Sequence, residues 1–290
     1  MARRRLKSNE YREDRAIREN RSSGTNESYK PWIQVGRNEF ASHGLTESRP
    51  SILFDRQVTV LSLLEIEALR VLQLTNPRDI REQFRLLHEG VEDEFLQNAP
   101  HASGSVEIAE TFGLKHPLIR LGKPLTMTTD FLVNRRDARP LAVHVKYAKD
   151  LPVKRNHELR KIEEEYWRQR GVAFTVFTER EISKTAKGNL ILFECFHKEC
   201  PWRKNIHLHM EVAELAVVLP MLDVLEVVSR RRGISTAVAA DVVKFAISTG
   251  RIRLDISAYA MDWSQVWPRM QVFSYSEDTT ELLEAEGSLR

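Results

Sequence analysis

Cysteine, long apolar runs and net charge are all scarce in this chain. Two cysteines among 290 residues exclude a disulfide scaffold, so we expect a reducing, cytoplasmic setting. No apolar stretch approaches the about 20 residues of a membrane span, and the first residues lack an apolar signal core, so we expect no membrane association. A hydrophobic share of 42% excludes wholesale disorder, and the length predicts one large or two ordinary domains.

The small net charge of +3 conceals an uneven distribution. Residues 1–21 hold eight basic and four acidic groups, whereas residues 276–290 hold five acidic groups and a single basic one, Arg290. We expect residues 1–28 to form a flexible basic arm, which either attracts a polyanion or simply frays. The acidic tail would be repelled by DNA, so a protein is the better partner for it.

Hydrophobic periodicity predicts two domains that meet near residues 179–185. Residues 29–180 read as an α/β module of helix, three strands, helix and strand, and residues 181–290 read as mostly helical with an acidic tail. The predicted elements are a helix within 51–74, strands 79–87, 125–134 and 141–148, a helix 157–169, a strand 173–178, helices 208–229 and 236–248, and a strand 251–256. Helix, tight turn, helix and strand predict a winged-helix-like second domain.

Two of the predicted strands carry an acid, an imidazole and a lysine. His144 and Lys146 alternate along one strand and therefore share a face. If the hairpin turns near Asp137, Asp130 lies across from His144. Phosphodiester cleavage uses such a group, because oxygen ligands hold Mg²⁺ and a lysine can orient water or stabilise developing charge. A surface hairpin with a salt bridge explains the same residues.

Glu65 strengthens the catalytic interpretation. With Ser62 it has the spacing of a capping box, a purely structural role. Yet its neighbours three and four positions further along the helix are Ala68 and Leu69, which turns Glu65 toward the core. An unpaired buried carboxylate is costly, and a metal partner would remove that cost.

Several short motifs, in order across residues 28–180, resemble the TnsA family, the restriction-enzyme-like endonuclease subunits of Tn-seven-type heteromeric transposases. The motifs are Y-x-P-W at 29–32, L-S-x-L-E at 61–65, D-I-R-E-Q-F at 79–84, G-L-K-H-P at 113–117, T-x-T-T-D-F-L-V at 126–133, V-K at 145–146 and E-E-E-Y-W at 163–167. The resemblance implies a restriction-endonuclease-like catalytic domain at residues 29–180, in a bacterial cytoplasm.

The resemblance also implies roles for particular residues. Glu65 and Asp130 match the metal-binding acids of the family, and Lys146 matches its catalytic lysine. His144 stands where related nucleases carry Glu, Asp or Gln, so we expect it to ligate the metal or to leave that role to its backbone carbonyl. Imidazole is a poorer ligand for Mg²⁺ than oxygen, so we expect that Mn²⁺ can substitute. Glu163 matches another acid of the active-site region, although a solvated glutamate explains it nearly as well.

The implied activity is metal-dependent cleavage of the 5′ ends of a transposon, in double-stranded DNA. The implied partners are a TnsB-like transposase, which cuts and joins the 3′ ends, and a TnsC-like AAA+ ATPase that binds the C-terminal domain. Two alternatives remain open: a stand-alone restriction or repair endonuclease, and a DNA- or protein-binding adaptor whose nuclease fold has lost activity.

Three further sets of residues invite interpretation. Gln83 lies on a strand beside the acids, where we expect a structural hydrogen bond rather than a substrate contact. A zinc site would use Cys195, His197, Cys200, His207 and His209, but its spacing departs from structural zinc sites, and buried thiols with surface histidines are the simpler expectation. Phosphate contacts are expected from residues near the catalytic group, namely Lys154, Arg155, Arg160 and Lys161.

Overall fold

The computed structural model describes residues 9–34, 46–89, 99, 101–119, 122–136, 138–195 and 202–273. Asp137, His197, Cys200 and the acidic tail at 276–290 lie outside the described residues. The chain folds as two compact units, one made of Met1–Leu69 with Pro77–Glu181 and the other of Arg70–Asn76 with Ile182–Arg290. The domain bounds 29–180 and 181–290 stay a prediction.

The first unit is built on a four-stranded mixed sheet. Its strands are β3 (Asp79–Arg85), β4 (Thr128–Asn134), β5 (Leu141–Val145) and β6 (Ala173–Phe177), in the order β3-β4-β5-β6. The first two pairings are antiparallel and the last is parallel. Helix α4 (Lys154–Gln169) makes the crossover that a parallel pair requires. The mixed α/β architecture predicted for this part of the chain is confirmed.

Other helices and strands of the first unit are α1 (Asn9–Arg18), the antiparallel pair β1 (Glu47–Pro50) and β2 (Gln57–Val60), and α3 (Ser105–Thr111). Helix α2 (Leu63–Gln73) belongs to the first unit up to Leu69. Trp167 and Ile162 of α4 are fully buried and pack with Leu132 of β4 and Phe84 of β3 in one cluster. Burial of this apolar face fixes α4 against the strands on which Asp130 and His144 lie.

The N-terminal residues differ from the flexible arm that the sequence predicts. Residues 9–18 are helical, Ala16 is buried, and Arg21 donates from Nη1 to the carbonyl of Trp32 over 3.1 Å. Glu10 forms an ion pair with Lys123. The polar composition concealed this order, because one buried alanine gives almost no periodic signal and the remaining contacts are made with residues distant in sequence.

The second unit is mostly helical, as predicted. It contains α5 (Lys184–Leu192), α6 (Ile206–Leu215), α7 (Met221–Arg232), α8 (Thr236–Ser248) and a small antiparallel ribbon of β7 (Ile252–Arg253) and β8 (Gln271–Val272). The single helix expected at 208–229 is wrong, since the chain leaves helical geometry after Leu215 and Pro220 is the N-cap of α7. The winged-helix arrangement stays a prediction. Among the described residues, no helix is long and apolar enough to cross a bilayer.

Candidate active site

The hairpin of β4 and β5 brings the predicted catalytic residues together. Phe131 pairs with Val143 and Val133 with Leu141, so the register continues to Asp130 opposite His144, as the sequence predicted. His144 Nδ1 lies 3.9 Å from Asp130 Oδ2. The Asp130 carboxylate accepts a 2.6 Å hydrogen bond from the Val145 amide, which ties it to β5. The shared sheet face therefore follows from the register alone.

Glu65 approaches the same group from the first turn of α2. Its side chain is buried, with 6% exposed, and the charge of Asp130 acts on it. The Leu61 amide donates to Oε2 over 2.8 Å, and Ser62 Oγ donates to Oε1 over 3.0 Å. Ser62 Oγ in turn accepts from the Glu65 amide over 3.1 Å. Glu65 thus belongs to the capping arrangement expected from its spacing and also faces Asp130.

The two acids lie where negative charge is costly. Burial, with the charge of Asp130, raises the pKa of Glu65 to about 8. Burial also raises the pKa of Asp130 to about 6, with the charge of Glu163 adding to the effect and His144 and Lys146 opposing it. Lys146 follows β5 directly, and its amide donates to the carbonyl of Phe177 over 3.0 Å. The structure therefore brings Glu65, Asp130, His144 and Lys146 into one group.

Glu163 of α4 also belongs to this group. The sequence alone did not decide between a site role and a solvated glutamate for it. It is buried, with 2% exposed, and its Oε2 lies 2.9 Å from His144 Nδ1. Its Oε1 is buried and has no hydrogen-bond partner among the described residues. The neighbours three and four positions further along α4 are Tyr166 and Trp167, both buried. The same helical-face argument that turned Glu65 inward would therefore have placed Glu163 here.

His144 is held as an ion-pair partner in this arrangement. Although burial lowers the pKa of His144, the charges of Glu163 and Asp130 raise it to about 9. A protonated imidazole has no free lone pair on its nitrogens, so it cannot ligate a metal until the proton leaves. Metal binding by His144 stays a prediction, and it requires loss of that proton.

Gln83 of β3 makes the structural hydrogen bond that was expected of it. Its Nε2 donates to Glu65 Oε2 over 3.3 Å, and its Oε1 accepts from Thr128 Oγ1 over 3.2 Å. Glu65 therefore receives three hydrogen bonds. A carboxylate offers about four lone-pair sites, so capacity for one further ligand remains.

The donor set fits a hard divalent cation only in part. Within the described residues, no group of three or more His, Cys, Asp or Glu side chains is placed to hold a metal ion. Two carboxylates with raised pKa values, Glu65 and Asp130, nevertheless supply the oxygen donors that Mg²⁺ uses together with water and substrate phosphate. A cation between them would lower both pKa values.

The cysteines and histidines of the second unit give no support to a zinc site within the described residues. Cys195 is buried and contacts Asp241 and Arg203, with Arg203 Nη2 3.0 Å from its sulfur. His209 is also buried rather than at the surface as expected, and its Nε2 lies 2.8 Å from the carbonyl of Arg203. These contacts are structural.

The expected phosphate contacts lie at the start of α4 and along it. Lys154 and Lys161 are exposed. The Arg155 guanidinium already has partners within the protein, since it donates from Nη1 to the carbonyl of Lys115 and pairs with Glu158 over 3.2 Å. Arg160 Nη2 lies 2.9 Å from His157 Nδ1. The two lysines are the exposed members of the set, and contact with a phosphate stays a prediction.

Comparison with known proteins agrees with the motifs. Residues 78–179 match the family described as TnsA-like endonuclease N terminal. The chain is 34% identical over 179 residues to the transposon Tn7 transposition protein TnsA of Escherichia coli, which covers 61% of this chain and 59% of that relative. Asp130, His144, Lys146 and Glu163 fall inside the family match, and Glu65 precedes it. The resemblance to TnsA-type subunits that the motifs indicate is thereby confirmed.

Proposed function

We propose that this chain is a metal-dependent DNA endonuclease that cleaves the 5′ ends of a transposon during cut-and-paste transposition. One observation supports this most directly. Two largely buried carboxylates lie in the unit that carries the TnsA-like match: the charge of Asp130 raises the pKa of Glu65, and the charge of Lys146 acts on Asp130. Glu65 is buried and has no cation among its hydrogen-bond donors, and an acid with a raised pKa in such a place is typical of catalytic sites.

In this proposal Glu65 and Asp130 hold Mg²⁺, for which Mn²⁺ can substitute. The bound ion would supply Lewis-acid polarisation of the phosphate and a more acidic water. The Asp130 carboxylate is fixed by the Val145 amide, and Glu65 by its three hydrogen bonds, so both present oxygens without reorganising. The Lys146 ammonium orients the attacking water or stabilises charge on the phosphate.

The His144 and Glu163 pair supports the same face of the sheet. Glu163 holds the His144 imidazole over 2.9 Å, and the positive charge of His144 lowers the pKa of Asp130 against the effects of burial and of the Glu163 charge. Asp130 is therefore kept closer to its ionised form. We assign His144 and Glu163 this electrostatic role when the imidazole is protonated, and a ligand role for His144 when it is neutral.

The polarity of cleavage and the partners are those that the resemblance to the TnsA family implies, and they are part of the proposal. Hydrolysis would leave a 5′-phosphate and a 3′-hydroxyl on one strand. A TnsB-like transposase would process the 3′ ends, and a TnsC-like ATPase would bind the second unit, which we propose to be winged-helix-like. The near-neutral body of the chain favours a subunit that is positioned on DNA by its partners, with Lys154 and Lys161 as local phosphate contacts.

The test is the Asp130→Ala variant in a reconstituted transposition reaction on end-labelled DNA, with the transposase and the ATPase present. We expect 5′-strand cleavage to be abolished while binding to the partners, measured by co-purification, is unchanged. Glu164→Ala, which removes an exposed acid of α4, is the matched control and should cleave normally. Cleavage by Asp130→Ala at the wild-type level would rule the proposal out.

A further inference from the structure

Gln83 has a backbone conformation that a strand residue rarely adopts. Its φ is +47°, in the left-handed region, although it lies in the middle of β3. Glu82 pairs with Phe131 and Phe84 pairs with Thr129, so the register on either side is continuous. Gln83 falls opposite Asp130 and makes no ladder pair there. A non-glycine residue in this region is strained, and such strain persists only where surrounding contacts impose it.

The contacts that impose it come from the N-terminal segment Ser22–Trp32. The carbonyl of Gln83 accepts hydrogen bonds from the Trp32 amide over 3.1 Å and from Ser22 Oγ over 3.5 Å. Ser22 Oγ also accepts from the Arg85 amide over 2.9 Å, and Tyr29 donates from its hydroxyl to the carbonyl of Glu82 over 2.8 Å. This segment therefore forms hydrogen bonds with the backbone of β3 at Gln83 and on both sides of it.

The strained backbone places the Gln83 side chain between two elements. Thr128 donates to Oε1, which leaves Nε2 to donate to Glu65. Gln83 is 1% exposed, so neither half of its amide can turn to solvent instead. The amide thus holds one oxygen of Glu65 in a fixed direction relative to β4, the strand that carries Asp130.

We infer that Gln83 is a positioning residue, held in the left-handed conformation by Ser22–Trp32, that aligns the Glu65 carboxylate with Asp130 for catalysis. The inference rests on the proposed endonuclease function. It also gives the segment Ser22–Trp32, which ends in the Y-x-P-W motif, a supporting role in the active site. Gln83 itself need not touch substrate or metal, because its effect passes through Glu65.

Gln83→Asn tests this inference most sharply. Asparagine tolerates the left-handed region well and keeps an amide, but it is one methylene too short to join Thr128 to Glu65. We expect the single-turnover rate of 5′-strand cleavage to fall roughly 10- to 100-fold, the usual cost of losing a partner of a metal ligand. The DNA concentration for half-maximal rate should be unchanged. Loss of two buried hydrogen bonds lowers the melting temperature by a few degrees, but the folded fraction at the assay temperature should equal that of the wild type.

Three further variants separate positioning from folding. Gln57→Asn changes an exposed glutamine of β2 and should alter nothing. Thr128→Ser keeps the hydroxyl and should retain the rate, whereas Thr128→Val removes the donor and should reduce it. The reaction is run on end-labelled DNA with the TnsB-like and TnsC-like partners.

The outcomes separate the inference from the function on which it rests. A wild-type protein that does not cut the 5′ strand would defeat the proposed function, and the inference with it. A wild-type protein that cuts, together with a Gln83→Asn variant that cuts at the same rate, would overturn the inference alone. So would a Gln83→Asn variant whose lost activity is matched by a lost folded fraction, since that is the signature of a structural residue.

Discussion

Two buried carboxylates meet at adjacent residues of β3: Glu82 belongs to the strand, and Glu65 is contacted by Gln83. They differ in whether a cation is paired with them. Glu82 is fully buried and pairs with Arg56 Nη1 over 2.8 Å, and the Thr59 amide donates to it over 3.1 Å. Glu65, which Gln83 contacts, faces the charge of Asp130. Among the described residues, every group that donates to Glu65 is uncharged.

We therefore interpret Glu82 as a structural acid and Glu65 as an acid of the active site, a site acid. The charge of Glu82 is neutralised within the fold, so its removal should affect stability. The charge of Glu65 has no cation among its hydrogen-bond donors, and the cations beside Asp130 are His144, which also pairs with Glu163, and Lys146. A fold tolerates such acids where a ligand completes the site. Variants that disturb Glu82 should therefore mainly lower the stability of the protein, whereas variants that disturb Glu65 should mainly slow DNA cleavage.

Arg56→Ala should give the largest loss of stability. It leaves Glu82 buried without its cation, and breaking a buried pair in this way costs about 3–5 kcal/mol. Urea denaturation followed by tryptophan fluorescence measures the change in the free energy of unfolding. Arg168→Ala, which removes an exposed partner of Glu165, is the control and should change stability little. A loss no larger than that of the control would show that Glu82 does not depend on Arg56.

The comparison also shows which parts of the site the sequence could reveal. The register that sets Asp130 against His144 was predictable, because strand alternation and one hairpin turn determine it. The burial of Glu65 was predictable from Ala68 and Leu69, and that of Glu163 from Tyr166 and Trp167. These are local patterns, in which neighbours in sequence are neighbours in space.

Contacts between distant parts of the chain were not predictable. The pairing of Glu82 with Arg56 and the left-handed φ of Gln83 both depend on segments more than twenty residues away. No propensity argument places a glutamine at positive φ within a strand, since the strain is compensated by Ser22 and Trp32 rather than by local sequence. The break before Pro220 is different, because a proline within an apolar run was a visible signal of it.

The stability of the protein should fall as pH rises when a chelator removes divalent cations. Glu65 has a folded pKa of about 8 against a usual value of 4.5, so the folded state binds more protons over that interval. The free energy of unfolding should therefore decrease from pH 4.5 to 8. Since one pKa unit corresponds to about 1.4 kcal/mol, the decrease from Glu65 should exceed that amount. Urea denaturation at pH 5, 6, 7 and 8 measures it.

Glu65→Gln is the control for this pH dependence. The variant cannot ionise at position 65, so its free energy of unfolding should depend less on pH over the same range. Asp130 and His144 also have raised pKa values, and both contribute in the same direction, so some dependence should remain. An equal pH dependence in Glu65→Gln and the wild type would show that the pKa of Glu65 is not raised in the folded state.

Ser62→Ala should have the smallest effect and separates the two roles of Glu65. It removes the hydroxyl that accepts from the Glu65 amide and donates to Oε1. Loss of an N-cap costs about 1 kcal/mol, which urea denaturation can resolve. Ser183→Ala removes the equivalent cap of α5, far from the acids in sequence, and should cost a similar amount. If Glu65 is a site acid as well as a capping residue, only Ser62→Ala should also slow 5′-strand cleavage. Equal cleavage rates in the two variants would show that Ser62 only caps the helix. Gln83, and not Ser62, would then orient the Glu65 carboxylate.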